Sequence, residues 1–262
     1  MDLKLAGKTA LVTGSYRGTG LIIARHLARE GARVFVHGLA PGQAEAAVAE
    51  LEFGEPVTGD LTTDNGADAI STAMVDALGE RCVDILVNNY GTADSGNWQD
   101  SDAEDWIDAY QKNVLSAQRM IRGFLPQMRA HRWGRIINLG TVGSTRPNSR
   151  MPHYYASKGA LATMTISLAK EVAGTGIRVN LVSPGLILTP EVEAAYLERG
   201  QRKGWGTTWD EIEPHIAKDI PIGRIVRREE VADLVAFLAS PLADGIHGQN
   251  IRVDGGSLGI LS

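Results

Sequence analysis

The stretch Thr9-Ala10-Leu11-Val12-Thr13-Gly14-Ser15-Tyr16-Arg17-Gly18-Thr19-Gly20 decides how this chain is read. Thr9 to Thr13 is short and nearly all apolar, the pattern of a parallel strand covered on both faces. It runs straight into Gly-x3-Gly-x-Gly. Leu21, Ile22, Ala24, Leu27 and Ala28 then recur at helical spacing over residues 18–30. In such a turn Gly14 permits the tight bend, Gly18 lets the backbone approach a pyrophosphate, and Gly20 lets helix and strand pack closely. The free N–H groups at the helix start point at the anion, and Ser15 and Thr19 join the three glycines as candidate cofactor contacts. No Gly-Lys-Ser/Thr closes the turn, so it is not an ATP-binding P-loop. The plainer alternative is an ordinary strand–helix turn. Its place after the first strand favours a nucleotide.

Outward from this turn the same rhythm repeats. Strands are expected at 33–36, up to Gly59, at 83–87, 135–139, 177–182 and 250–253. Helices are expected at 42–52, about 63–78, 102–130, about 152–173 and 229–240. Ser101-Asp102-Ala103-Glu104 reads as a capping box, and the long helix after it is expected to bend or break before Pro126. Residues 188–222, with Gly200, Gly204, Gly206, Pro190, Pro214 and Pro221, interrupt the rhythm and suggest short helices in a mobile lid. Strand–helix alternation of this kind gives a parallel sheet with helices on both faces. No linker or internal repeat divides the chain, so residues 1–262 read as one domain.

Composition agrees. The chain has 262 residues, 44% hydrophobic, with 26 Lys+Arg against 31 Asp+Glu for a net charge of −5. That apolar content excludes a disordered chain. One thiol, Cys82, excludes a disulfide-stapled fold and a cysteine metal cluster, and no metal site is expected. Mild acidity argues against a nucleic-acid partner. No apolar run reaches the length of a membrane span, about 18 residues or more, and no signal peptide is read at the N-terminus, so a cytoplasmic location is expected. The 30 glycines are about 11% of the chain, against a usual ~7%.

An NAD site would carry an acid about 20 residues past the glycines to hold the adenosine ribose. The second strand here ends Val36-His37-Gly38-Leu39, with Gly38 where the acid is expected. Nothing there repels a 2′-phosphate, and Arg17 can pair with one through charge-assisted hydrogen bonds. NADP(H) is therefore preferred, with NAD(H) as the second candidate. His37 is either an assistant to that phosphate or a bystander.

Tyr154-Tyr155-Ala156-Ser157-Lys158 opens an expected helix. Tyr154 and Lys158 share one face, and a nearby cation would lower the phenol's pKa from its usual ~10. Such a pair suits proton transfer to or from an alcohol oxygen. Spacing alone also allows Tyr155 with Lys158, or a plain surface pair.

With the glycine turn and this pair together, the sequence resembles the short-chain dehydrogenase/reductase family over essentially its whole length. The resemblance implies a Rossmann-type doubly wound parallel sheet of about seven strands. Asp60-Leu61 resembles the pair that contacts adenine, and Asn88-Asn89-Tyr90-Gly91 the motif after strand four, with Tyr90 in place of alanine. Asn113 falls where the family holds a proton-relay water. Tyr154-x3-Lys158 matches the catalytic pair in register, which selects Tyr154. Asn180 to Thr189, with Pro184, Gly185, Ile187 and Thr189, resembles the segment covering the nicotinamide. Val253-Asp254-Gly255-Gly256 resembles the C-terminal ending. The family's catalytic serine is replaced here by Thr141, whose hydroxyl is kept and whose methyl restricts χ1. Ser144 is an alternative donor, expected to point elsewhere.

The resemblance implies reversible hydride transfer between NADP(H) and a small-molecule carbonyl or secondary alcohol, 3-oxoacyl-type or other. Its site would comprise Asn113, Thr141, Tyr154 and Lys158. An NAD-dependent alcohol dehydrogenase of the same family and a non-catalytic NADP-binding regulator or scaffold are the alternatives. Tyr90 either narrows the pocket or packs as core. Trp205 and Trp209 either line an apolar pocket or pin the lid down. Arg146, Asn148, Arg150 and His153 suit an anionic or polyhydroxylated substrate, or a solvated loop. A homotetramer, or a dimer, is expected through the helices at 102–130 and 152–173. The apolar tail Leu258-Gly259-Ile260-Leu261 either joins a subunit contact or folds back on its own chain.

Overall fold

Seven strands form one parallel sheet in the order β3-β2-β1-β4-β5-β6-β9. They are β1 (Thr9–Val12), β2 (Arg33–Gly38), β3 (Glu55–Thr58), β4 (Ile85–Asn88), β5 (Gly134–Leu139), β6 (Ile177–Pro184) and β9 (Asn250–Val253). The computed structural model describes residues 2–51, 53–79 and 81–260. Met1, Glu52 at the end of the expected second helix, and Leu261 in the apolar tail lie outside them.

Alternation along β1 explains the two-layered core. Ala10 and Val12 pack on one face against Ile23 and Leu27 of α1 (Gly18–Arg29), with Val231 and Val235 of α9 (Arg228–Ala239) in the same cluster. Leu11 faces the other way, towards Ile70 of α3 (Asp64–Leu78), Met120 and Phe124 of α5 (Ser116–His131), and Leu168 of α6 (Pro152–Glu171). With period 2 in the strand and both faces covered, every β1 residue is apolar or a buried threonine. Helix α2 (Gln43–Leu51) adds Ala44 and Ala47 to the first face.

The order reverses between β1, which pairs with β2 on one side, and β4 on the other. In open α/β sheets a crevice forms at that reversal, beyond the carboxyl ends of the strands. The glycine turn, the Asn88–Gly91 segment and the residues after β5 all emerge there.

Three expectations need correction. The capping box at the start of α4 (Ala103–Tyr110) uses Asp102 and Asp105, not Ser101 and Glu104. The long helix is interrupted by a π-turn over Gln111–Leu115, while Pro126 lies inside α5. The segment at 188–222 is more ordered than an open lid. It contains α7 (Pro190–Arg202) and α8 (Trp209–Ile216). A two-stranded parallel ribbon of β7 (Ile187–Leu188) and β8 (Val226–Arg227) ties it down, together with the Arg227–Glu213 ion pair at 2.7 Å.

Candidate active site

Gly14 and Gly18 both take positive φ, +62° and +63°, so the turn needs residues without a Cβ. The α1 N-cap, Arg17, makes no side-chain cap hydrogen bond, which leaves the first N–H groups of the helix for a ligand. Arg17 itself is exposed at the rim.

Behind the turn, His37 and Ser15 are fully buried. Gly14 N–H donates to His37 Nδ1 (2.8 Å), and His37 Nε2 bonds to the Gly59 carbonyl (2.9 Å), which sets the Nε2–H tautomer. Ser15 Oγ donates to the Val12 carbonyl (2.6 Å) and accepts from His37 N–H (2.9 Å). Burial pushes the imidazole down to about 4. A neutral ring with both nitrogens engaged cannot pair with a phosphate. The side chains of Ser15 and His37 therefore brace the turn from behind, which corrects the picture of His37 as a second phosphate group. Gly38 packs so tightly on α2 that a Cβ would lie 2.8 Å from Gln43 Cβ and 2.9 Å from Ala44 N. The missing acid has a steric reason.

Asn88 lies in the sheet, its Nδ2 donating to Asn138 Oδ1 (2.8 Å). Leu61 is buried in the core, while Asp60 is exposed and accepts from Thr62 N–H (2.9 Å). Tyr90 packs against the α3/α5 core cluster, with its Cα 3.1 Å from where a Gly14 Cβ would stand. Burial pushes its phenol up to about 12. It acts as packing beneath the turn and does not narrow the cleft.

Thr19, Gly91, Tyr154, Lys158, Pro184 and Ile187 converge on one cleft. Asn89 also lines it and was not singled out from the sequence. Its Nδ2 donates to the Thr13 carbonyl (2.9 Å) and so ties the β4 end to the glycine turn. Gly91 shows how tight the far wall is: a Cβ there would collide with Asn113 Oδ1 and stand 3.2 Å from Lys158 Nζ. Asn113 sits in the π-turn, its Nδ2 donating to the carbonyls of Thr92 and Ala109 (3.0 Å each) and its Oδ1 accepting from Thr92 N–H (3.1 Å).

Lys158 is buried and donates to the Leu139 carbonyl (2.8 Å), and burial lowers its ammonium to about 8. Tyr154 is pushed up to about 12, chiefly by burial and then by the neighbouring Tyr155, against a smaller lowering by its hydrogen bond with Thr141. Lys158 contributes none of the expected lowering of the phenol. Tyr154 is thus held protonated at neutral pH.

Tyr154 also borders a second cavity, of about 420 Å³, with Thr141, Tyr155, Gly185, Asp219 and Leu258. Thr141 Oγ1 accepts from Gly143 N–H (3.2 Å), and Ser144 Oγ is spent on the Thr141 carbonyl (2.8 Å), so Thr141 is the hydroxyl facing the cavity. Arg146 lines it too, whereas Asn148 is held by the Tyr155 hydroxyl (2.9 Å) and His153 is buried. Thr189 caps α7, accepting from Val192 N–H (3.2 Å). Neither Trp205 nor Trp209 reaches the cavity. Leu258 folds back onto it, and Ile260 is exposed.

A family profile described as "Enoyl-(Acyl carrier protein) reductase" matches residues 14–257. Among curated proteins, the chain is 35% identical to "Uncharacterized oxidoreductase YvaG" of Bacillus subtilis, covering 98% of both chains. It is 36% identical to the 3-oxoacyl-(acyl-carrier-protein) reductase FabG of Vibrio cholerae, covering 97% of this chain and 98% of that one. Among solved structures, L-sorbose reductase from Gluconobacter frateurii, complexed with NADPH and L-sorbose, superposes with a TM-score of 0.92 at 34% identity, covering 100% of both chains.

Proposed function

This chain belongs to the short-chain dehydrogenase/reductase family, as an oxidoreductase acting on C=O or CH–OH groups, and on that premise we propose that it is NADP(H)-dependent and reduces a small carbonyl compound reversibly. The observation that carries the proposal is the convergence of Tyr154, Lys158 and Gly91 on one cleft, with Thr141 facing the adjoining cavity. The residues fit the cofactor. The glycine turn offers unpaired N–H groups, Gly91 leaves a cradle that any Cβ would fill, and exposed Arg17 stands at the rim where the 2′-phosphate would lie. Gly14, Gly18, Gly20 and Thr19 would hold the pyrophosphate, and Pro184, Gly185, Ile187 and Thr189 would cover the nicotinamide.

The chemistry that bound NADP(H) supplies is reversible hydride exchange with a carbonyl carbon. Tyr154, a phenol protonated at neutral pH, delivers a proton to the carbonyl oxygen in reduction. Thr141 donates a hydrogen bond to the same oxygen and fixes its position. Lys158, anchored on Leu139, would hold the ribose of bound NADP(H) and serve as the proton source for Tyr154. Asn113, fixed in the π-turn by its side-chain bonds to Thr92 and Ala109, would hold the relay water that links Lys158 to solvent. The segment at 188–222 serves as the substrate lid. We place the enzyme among homotetramers of this family, or dimers, in the cytoplasm.

The cofactor test is direct. NADPH binds more tightly than NADH, and Arg17→Ala weakens NADPH about tenfold or more, the worth of a charge-assisted hydrogen bond, while leaving NADH unchanged. Tighter NADH binding by the unaltered protein refutes the NADP assignment. A screen of ketones and alcohols with NADPH or NADP then finds the substrate.

A further inference from the structure

A second groove lies between α7 and α8, on the lid and outside the cleft and cavity described above. It is lined by Arg199, Lys203, His215 and Lys218 together with Tyr196 and Trp205. Arg199, Lys203 and Lys218 gather here although the net charge of the chain is −5. Trp205 is stacked on His215 at 5.1 Å and 11°, and the Lys203 ammonium stands 4.9 Å from its ring centroid. The Arg199 guanidinium stands 5.7 Å from the Tyr196 centroid. Among the described residues, none of Arg199, Lys203 and Lys218 has a carboxylate within 4.0 Å.

Of the acids nearby, Glu213 is paired with Arg227, Glu211 accepts from the Thr207 and Thr208 N–H groups and Glu198 pairs with Arg202, while the exposed Asp219 follows Lys218 in the chain. Cation–π contact fixes a charge in place without neutralising it. The groove therefore presents three basic side chains, two of them held by aromatic rings, that no carboxylate within 4.0 Å neutralises, a setting that favours a bound anion. An arginine fork beside two lysines suits a phosphate, with its several oxygens and high charge, better than a lone carboxylate.

The groove is also joined to the site of reaction. Lys218 lines both it and a shallow depression running along Ala217, Asp219, Ile220 and Pro221. Asp219 and Ile220 in turn wall the cavity that holds Thr141 and Tyr154. We propose that this groove binds a phosphate group carried by the substrate at a distance from its carbonyl, so that the enzyme acts on a phosphate ester. The proposal rests on the carbonyl-reductase reading for the word substrate, while the anion site stands on its own geometry.

The test begins with inorganic pyrophosphate, titrated calorimetrically into protein saturated with NADPH so that the glycine turn is already filled. Binding is expected, and it weakens about tenfold or more in Lys203→Glu and in Lys218→Glu, one charge-assisted contact each. Absent binding, or equal binding by both variants and the parent, overturns the site. Kinetics then separate the sources of the phosphate, with a ketose phosphate and a ketone carried on a nucleotide thioester each compared with a phosphate-free analogue. A rise in KM of about tenfold in Lys218→Glu for either phosphorylated compound, with kcat and the analogue's KM unchanged, supports the proposal and names the source. An equal rise for the analogues, or no rise for any compound, overturns it. Full activity of Tyr154→Phe would instead strike the reductase reading and leave the pyrophosphate titration standing.

Discussion

Replacing His37 by phenylalanine tests how the cofactor turn is built. The ring volume is nearly kept, but the Gly14 N–H and the Gly59 carbonyl lose their partners at 2.8 and 2.9 Å inside the protein. Each orphaned buried group costs about 1–3 kcal/mol, so the variant is expected to lose about 2–6 kcal/mol at neutral pH. A second signature comes from protonation. Folding lowers the imidazole from 6.5 to about 4, because burial disfavours the cation. The folded-state pKa is the lower one, so the unfolded chain takes up the proton first. The stability tied to the neutral ring is complete above the unfolded value and disappears as pH falls from 6.5 towards about 4. Between about pH 7.5 and about pH 4.5 this linkage amounts to about 2.5 kcal/mol. Urea denaturation of both proteins at the two pH values isolates it from the titration of carboxylates common to both. The gap between parent and His37→Phe should shrink by that amount on acidification. A gap that stays constant would refute the buried, neutral, doubly bonded histidine.

Two further changes probe the reacting groups. Gly91→Ala places a methyl against Asn113 Oδ1 and within 3.2 Å of Lys158 Nζ, so turnover should fall about tenfold or more through displaced catalytic groups, read as kcat with the fold checked by circular dichroism; wild-type kcat would show that the wall gives way. Thr141→Ser should keep activity, whereas Thr141→Ala should cost about 10²-fold in kcat, the scale for one donor to a developing oxyanion; an active alanine variant removes Thr141 from the role.

Much of this was legible in the sequence because the signals are local. A nearly all apolar Thr9-to-Thr13 run followed by glycines of fixed spacing has few other folds open to it, and Tyr154 and Lys158 reach one cleft by lying about one helical turn apart. What stayed hidden depends on partners distant in the chain. The inward turn of His37 is set by Gly14 and by Gly59 across β3, so nothing beside it in sequence marks it as a brace. The π-turn at Gln111–Leu115 lies where Asn113 is tied to the Thr92 loop, and no residue type announces it, whereas Pro126, the visible helix breaker, sits within α5. The burial that raises the phenol was hidden for a similar reason. Helical spacing brought the lysine near, but it could not show that the Leu139 carbonyl takes the ammonium's hydrogen bond.

In the proposed reaction Tyr154 supplies the proton for a carbonyl reduction that NADPH drives. It is tested most directly by following carbonyl-dependent NADPH consumption in a single turnover of Tyr154→Phe loaded with cofactor. NADPH binding should be unchanged and the rate lower by about 10²-fold or more. A variant that consumes NADPH as fast as the parent would contradict it.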